Sequence, residues 1–313
     1  MGLRSLVQGP DTCVTVPMSS TGRRRPALPV TAVLLAALVV AACTDTTTGT
    51  TGAETAGATA LPEHLTATEE YLPGLAADVY LPPGRATAPL VVIVPGGGWE
   101  SADRSGLGPL ADALADAGFM AVTITYRTGT DEARFPVPAE DIACAVSFAS
   151  TRAMEAGIDA RPLVLAGHSA GAHLAAVVAL APDLVRGECR YPAALPDALV
   201  GLAGPYDLPA VGNVAWPLLG TTVEQDPDRW EEASALTYAA ARPELRVLLA
   251  HGDADELVPL ESSIEFADAL RATGHTVRME TLPGADHADL YNPQIASLIV
   301  EWIDSLGSTP SMS

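Results

Sequence analysis

Residues 162–171 read PLVLAGHSAG, an apolar run that leads directly into the pentapeptide Gly-His-Ser-Ala-Gly. The apolar run is typical of a buried strand, and the small residues from Ala170 to Ala181 predict a helix behind it. A serine on such a strand-to-helix turn has its hydroxyl exposed, and glycines flank it because a Cβ would clash in the turn. This context, more than the five letters, makes Ser169 a candidate nucleophile.

Short apolar runs alternate with helical patterns on both sides of this turn. The alternation predicts an α/β fold with a mostly parallel sheet that helices cover on both faces. Ligands of such sheets bind beyond the carboxyl ends of the strands. Strands are expected at 75–81, 90–94, 120–126, 162–166, 198–203, 246–250 and 276–282, and helices at 107–117, 138–156, 170–181, 260–272 and 289–306.

The stretch from Leu208 to Pro243 breaks this rhythm. It holds two tryptophans and several prolines. We interpret it as an insertion that forms a small cap over the site, and a long connection packed on the outside is the alternative.

The composition predicts one large acidic domain. The 313 residues are 48% hydrophobic and carry a net charge of −21, which argues against nucleic acid as a partner because phosphate contacts need clustered basic side chains. All basic residues are arginine. Without lysine, the chain has no Walker A phosphate loop, no pyridoxal Schiff base and no Ser-Lys nucleophile pair.

The amino terminus has the pattern of an export signal. Three arginines at 23–25 precede a short apolar run at 30–42, which ends directly before Cys43. This order resembles a bacterial lipobox, so we expect a signal peptide at 1–42, a lipid on Cys43, a flexible tether at 43–60 and a domain at 61–313 outside the cytoplasm. An ordinary signal peptide or an uncleaved anchor remains open, as does a start at Met18 instead of Met1.

Beyond Cys43, the exported chain contains only Cys144 and Cys189. An oxidising compartment favours a disulfide between them. Two buried thiols are the alternative.

A serine hydroxyl needs a histidine to take its proton and a carboxylate to orient that histidine. Of the six histidines, only His287 lies in a loop after the last predicted strand in the chain order Ser, Asp, His. We expect His168 to point away from the pocket, His173 to be packed in its helix and His275 to lie in solvent.

The acid is expected in the loop after the strand at 246–250. Asp255 is the preferred candidate and Asp253 the next one. A calcium-loop reading of this pair fails because Leu257 stands where a third oxygen ligand is needed. Asp286, beside His287, is expected to hydrogen-bond within its own loop.

Acyl transfer also needs donors for the developing oxyanion. Three glycines at 96–98 follow the strand at 90–94, and such residues let backbone amides face a cavity. We expect the amides of Gly97, Gly98 and Ala170 to form the oxyanion hole, and a flexible turn is the alternative.

These pieces together resemble the α/β-hydrolase superfamily, in its esterase and lipase branch of hormone-sensitive-lipase-like and bacterial acyl esterases. The matching motifs are GGGW at 96–99, GHSAG at 167–171, HGDADELVP at 251–259 and GADH at 284–287. The resemblance implies a triad of Ser169, Asp255 and His287. One departure is Pro95, which replaces the family's histidine before the glycines, a residue that usually braces the loop.

The expected activity is therefore that of a serine carboxylesterase on a small-molecule or carbohydrate ester, with no cofactor and no metal. An arylformamidase-like or peptidase-like amide hydrolase and an acyltransferase are alternatives. A non-catalytic binding lipoprotein is a more distant one. Membrane contact is expected only through the lipid anchor.

Overall fold

The computed structural model describes residues 63–307, which fold around one eight-stranded sheet. The order of strands is β1-β2-β4-β3-β5-β6-β7-β8; β1 and β4 flank β2 antiparallel, and the other neighbours are parallel. This confirms the predicted α/β-hydrolase fold. The strands are β1 (Leu65–Leu72), β2 (Leu75–Tyr80), β3 (Thr87–Val94), β4 (Met120–Ile124), β5 (Asp159–His168), β6 (Ala198–Leu202), β7 (Arg246–Gly252) and β8 (Val277–Leu282).

Seven α-helices and several short 3-10 turns connect the strands in the described part of the chain, and an eighth helix follows β8. The helices are α1 (Gly108–Asp116), α2 (Val137–Glu155), α3 (Ala170–Leu180), α4 (Leu208–Val211), α5 (Trp216–Leu219), α6 (Pro227–Ala233), α7 (Leu260–Ala272) and α8 (Gln294–Gly307). None of the helices within residues 63–307 is long and apolar enough to cross a bilayer.

The core has two layers because the sheet is covered on both faces. Side chains of β3 alternate between them: Leu90, Val92 and Val94 belong to the core layer that contains α2, α3 and α7, whereas Val91 and Ile93 belong to the layer that contains α1 and α8. Because successive side chains of β3 point to opposite faces and both faces are buried, every residue at 90–94 is apolar. This explains the continuous apolar run from which the strand was predicted.

Several strand ends differ from the sequence prediction by two or three residues, and two larger differences have a physical reason. Strand β1 was not predicted, because its residues are mostly half-exposed or exposed and include threonine and glutamate. The last helix begins at Gln294 rather than at 289, since Pro293 holds Asn292 in extended backbone and leaves a separate 3-10 turn at Ala288–Tyr291.

The stretch 208–243 lies between β6 and β7 and contains α4, α5 and α6. Trp230 is fully buried in the core, whereas Trp216 is about half exposed. The insertion therefore packs against the domain through part of its length.

Cys144 on α2 and Cys189 in the loop before β6 form a disulfide. The predicted signal peptide at 1–42, the lipidation of Cys43 and the tether at 43–60 lie outside the described residues.

Candidate active site

Ser169 occupies the turn between β5 and α3 in a strained backbone conformation. Its φ of 53° and ψ of −125° lie in a region that non-glycine residues rarely adopt. The amide of Ser169 donates to the carbonyl oxygen of Leu202 on the neighbouring strand at 2.8 Å. The bond to the neighbouring strand holds Ser169 in this strained conformation at the end of β5. Strained backbone of this kind is typical of functional positions.

The two glycines of the pentapeptide are required by close packing of the backbone. A Cβ on Gly167 would lie 2.3 Å from the carbonyl oxygen of Gly171, and a Cβ on Gly171 would lie 2.4 Å from that of Pro95. Atoms cannot approach so closely without a shift of the backbone. Helix α3 therefore packs directly against the loop after β3.

The structure brings His287 and Asp255 together from two different loops. His287 follows β8 and Asp255 follows β7, and His287 Nδ1 lies 2.6 Å from Asp255 Oδ2. The Asp255 side chain is fully buried, and its Oδ1 accepts hydrogen bonds from the amides of Leu257 and Val258, each at 2.9 Å. Burial opposes ionisation, but the bonds from Val258, His287 and Leu257 outweigh it and hold the pKa of this carboxyl below its usual range.

The other two acids near His287 have different partners. Asp253 Oδ1 accepts the amide of Gly284 at 2.6 Å, and Asp286 Oδ1 accepts the amide of Ala288 at 2.8 Å. Both side chains thus stabilise the loop that carries His287. Neither replaces Asp255 as the partner of the imidazole.

His168 does not point away from the pocket, so that prediction is wrong. Its ring lines the cavity, lies 4.6 Å from the His287 ring and 4.0 Å from the Tyr291 ring, and its Nε2 donates to the carbonyl oxygen of His287 at 2.9 Å. Burial lowers the pKa of His168 to about 3, with the nearby His287 adding to this effect. His168 is therefore neutral, and its hydrogen bond holds the backbone of the candidate base His287.

His173 and His275 are both buried. His173 is packed as predicted, with Nδ1 accepting from Trp99 Nε1 at 3.3 Å and Nε2 donating to the carbonyl oxygen of Ala233 at 2.8 Å. His275 is only 5% exposed, and its Nδ1 bonds to the carbonyl oxygen of Leu245. The prediction of a solvent position for His275 is wrong, because the residue is tied to the start of β7.

The glycine loop lines the same cavity. Gly97 and Gly98 have φ values of 128° and 61°, which side chains disfavour. Ala170 is the first residue of α3, so its amide lacks an intrahelical acceptor. Within residues 63–307, no hydrogen bond from the amide of Gly97 or Gly98 to a protein atom is formed.

Gly97, Gly98 and Ala170 line one cavity of about 730 Å³. Ser169 and His287 both face it, although no hydrogen bond joins the two side chains among the described residues. Such bonds are often long in an enzyme without substrate. The remaining lining is largely apolar, and the residues outside the polar machinery are Trp99, Ser101, Asp103, Pro205, Ala210, Val211, Val214, Leu257, Val258 and Pro259.

The family model described as BD-FAE matches residues 77–270, more than half of the chain. This chain belongs to the BD-FAE family. The BD-FAE match includes Ser169, Asp255 and the glycine loop, whereas His287 follows it.

Named relatives of this BD-FAE protein include two proteins of Mycobacterium tuberculosis. Esterase LipQ is 32% identical over 223 residues, which are 66% of this chain and 52% of LipQ. Esterase LipC is 29% identical over 218 residues, which are 64% of this chain and 53% of LipC. The chain therefore spans about half the length of these curated relatives.

A solved structure with the same fold is the thermophilic esterase Est2 of Thermogutta terrifontis with propionate bound. It is 23% identical, has a TM-score of 0.66, and the similarity covers 80% of this chain and 97% of Est2. At this identity the likeness establishes the fold.

Two residues of the BD-FAE site were not singled out from the sequence. His251 is buried at the end of β7, with Nε2 3.2 Å from Asp255 Oδ2 and Nδ1 2.7 Å from Ser263 Oγ. Tyr291 lines the cavity, and its hydroxyl accepts the amide of Gly96 at 2.6 Å. The four-residue spacing to Asp255 is a sequence signal for His251; Tyr291 meets Gly96 only through the fold.

Proposed function

We propose that this chain is a serine carboxylesterase that cleaves short-chain acyl esters through an acyl-enzyme. The hydrogen bond between His287 and the buried Asp255, beside a cavity that also contains Ser169 and unbonded loop amides, carries the proposal. The named esterase relatives support ester hydrolysis as the activity.

The proposed reaction begins when Ser169 Oγ attacks the ester carbonyl carbon and His287 Nε2 takes the hydroxyl proton. Asp255 holds the Nδ1–H tautomer and stabilises the resulting imidazolium. The amides of Gly97, Gly98 and Ala170 bind the oxyanion in this proposal. The carbon–oxygen bond to the alcohol then breaks, His287 returns its proton to the leaving alkoxide, and water repeats the sequence to release the acid.

The lining supports an uncharged ester as the substrate. Asp103 is the one carboxylate among the residues that face the cavity, and no arginine lines it within the described chain. Hydrogen bonds from Ser105 lower the pKa of Asp103, so its negative charge persists at neutral pH and disfavours anionic esters. The cavity of about 730 Å³ has room for both halves of a small ester.

The test is hydrolysis of p-nitrophenyl acetate, butyrate and octanoate by the wild type and by Ser169→Ala. We expect the variant to lose at least about 10³-fold in kcat while it keeps its fold. Ser150→Ala is the matched control, because Ser150 lies on α2 outside the cavity. A fluorophosphonate probe should label Ser169 in the wild type, and full activity of Ser169→Ala would defeat the proposal.

The same panel decides between the proposed esterase and its alternatives. Faster cleavage of butyryl p-nitroanilide than of the butyrate ester would favour an amide hydrolase, and acyl transfer to an added alcohol would favour a transferase. Acetylated sugars in the panel test a carbohydrate ester as the substrate.

We also propose that the chain is exported and anchored by lipid on Cys43. The support is the order of charged, apolar and small residues before this cysteine. Cys43→Ser should abolish the lipid-modified amino-terminal peptide and move the protein from the detergent phase to the aqueous phase. Detergent-phase partition of Cys43→Ser equal to the wild type would contradict the anchor.

A further inference from the structure

The peptide that joins Pro95 and Gly96 is held from both sides by tyrosine hydroxyls. Its carbonyl oxygen accepts from Tyr126 Oη at 3.1 Å, and its amide donates to Tyr291 Oη at 2.6 Å. The carbonyl and the N–H of one peptide point in opposite directions, so two bonds fix the rotation of the peptide plane. This fixed peptide is the point from which the backbone continues to Gly97 and Gly98.

Tyr291 connects this loop to the segment of the candidate base. It lies four residues after His287, in the 3-10 turn Ala288–Tyr291, and its ring packs against His168. His168 in turn bonds to the carbonyl oxygen of His287. The Tyr291 side chain thus bridges the glycine loop and the His287 segment. Gly96 and Tyr291 are 195 residues apart in the sequence.

The contact lies directly beside the nucleophile. A Cβ placed on Gly96 would be 2.9 Å from the Tyr291 hydroxyl oxygen and 3.0 Å from Ser169 Cβ. Burial raises the pKa of Tyr291, with the bond from Gly96 opposing it in part, so the hydroxyl stays neutral over the working range of an esterase. Pro95 cannot accept this bond from the Gly96 amide, because the proline ring carries no polar group.

We propose that Tyr291 is a positioning residue for the oxyanion hole, which orients the loop amides through its hydrogen bond with Gly96. The inference rests on the proposed esterase reaction. Its action is on the transition state, because the oxyanion amides bind charge that develops only after Ser169 attacks. Loss of the hydroxyl is therefore expected to lower kcat and to leave KM nearly unchanged.

The experiment compares Tyr291→Phe with the wild type on p-nitrophenyl butyrate and measures the rate of fluorophosphonate labelling. We expect kcat to fall about 10- to 100-fold, KM to stay within about twofold, and the labelling rate to fall in parallel. The control is Tyr71→Phe, which removes a buried hydroxyl bonded to the Thr125 carbonyl oxygen at 2.6 Å and does not line the cavity. This control should keep the wild-type kcat.

Tyr126→Phe gives a second reading, since it releases the other side of the same peptide. Tyr126→Phe should lower kcat without raising KM. If Tyr291→Phe fails to fold, the test depends on this variant, and a wild-type kcat in Tyr126→Phe overturns the inference. A wild-type kcat in folded Tyr291→Phe, or a rise in KM alone, overturns it as well. Failure of the proposed function is distinct, because the wild type itself would then show no turnover.

Discussion

Asp255 and His287 form a hydrogen bond of 2.6 Å in which the carboxylate is fully buried and the imidazole is 14% exposed. The buried partner is held by two backbone amides, so the carboxylate keeps its orientation when the imidazole moves. This arrangement lets a proton enter His287 from the cavity side only, because Nδ1 is committed to the acid.

Replacement of the acid should therefore disable the imidazole. In Asp255→Asn the side-chain shape is kept, but the amide no longer stabilises the imidazolium or the Nδ1–H tautomer, and we expect kcat to fall about 10³- to 10⁴-fold. Asp253→Asn is the matched control, since Asp253 lies in the same loop and bonds to Gly284 instead. Steady-state kinetics on p-nitrophenyl butyrate checks this, and a larger loss in the control would move the acid to Asp253.

Insertion of a methyl group at the contact between α3 and the glycine loop should disturb both stability and activity. Gly171→Ala would place a Cβ 2.4 Å from the Pro95 carbonyl oxygen, and we expect a loss of about 1–3 kcal/mol in the free energy of unfolding together with reduced kcat. Gly106→Ala is the control, because a Cβ there meets nothing within 4 Å. Urea titration gives the free energies, and equal midpoints for the two variants would refute the close packing.

The buried histidines should make the fold sensitive to acid. Burial lowers the pKa of His168 to about 3 and that of His173 to about 4, whereas in the unfolded chain both titrate near 6.5. Below pH 6.5 the unfolded chain takes up protons that the folded protein does not, so stability present above pH 6.5 is lost as the pH falls towards 4.

At pH 5 each of these histidines should cost about 2 kcal/mol of the free energy of unfolding. Urea titrations at pH 7.5 and pH 5 measure the loss. His173→Gln, which offers an acceptor and a donor without titrating, should remove about 2 kcal/mol of that loss. An unchanged pH dependence in that variant would show that His173 is not held neutral.

Removal of the disulfide should lower stability without affecting the chemistry. The bridge closes a loop with a sequence separation of 45 residues, and its cysteines lie outside the candidate active-site cavity. A double variant of Cys144→Ala and Cys189→Ala should lose about 2–4 kcal/mol in the free energy of unfolding and keep kcat at 25 °C within about twofold. Mass analysis of the native protein checks the bridge, and two thiols that react with an alkylating agent would contradict it.

Strong local patterns made much of the fold predictable. Strand β3 is buried on both faces, so its continuous apolar run stands out, and the glycines around Ser169 mark a turn that tolerates no Cβ. Strand β1 escaped prediction because an edge strand with exposed polar side chains lacks that contrast. The start of α8 was misplaced because Pro293 interrupts an otherwise helical pattern.

The sequence by itself determined the α/β fold, since its hydrophobic periodicity is a local property. It nominated Ser169 by its pentapeptide, Asp255 by its loop after a strand, and His287 by its loop and the chain order. Tertiary structure alone decided how these residues are supported. The bond from His168 to the His287 carbonyl oxygen and the bond from Gly96 to Tyr291 depend on loops that meet only when the strands align. No local pattern encodes such contacts, because their energy comes from side chains that are distant in the chain and share one buried space.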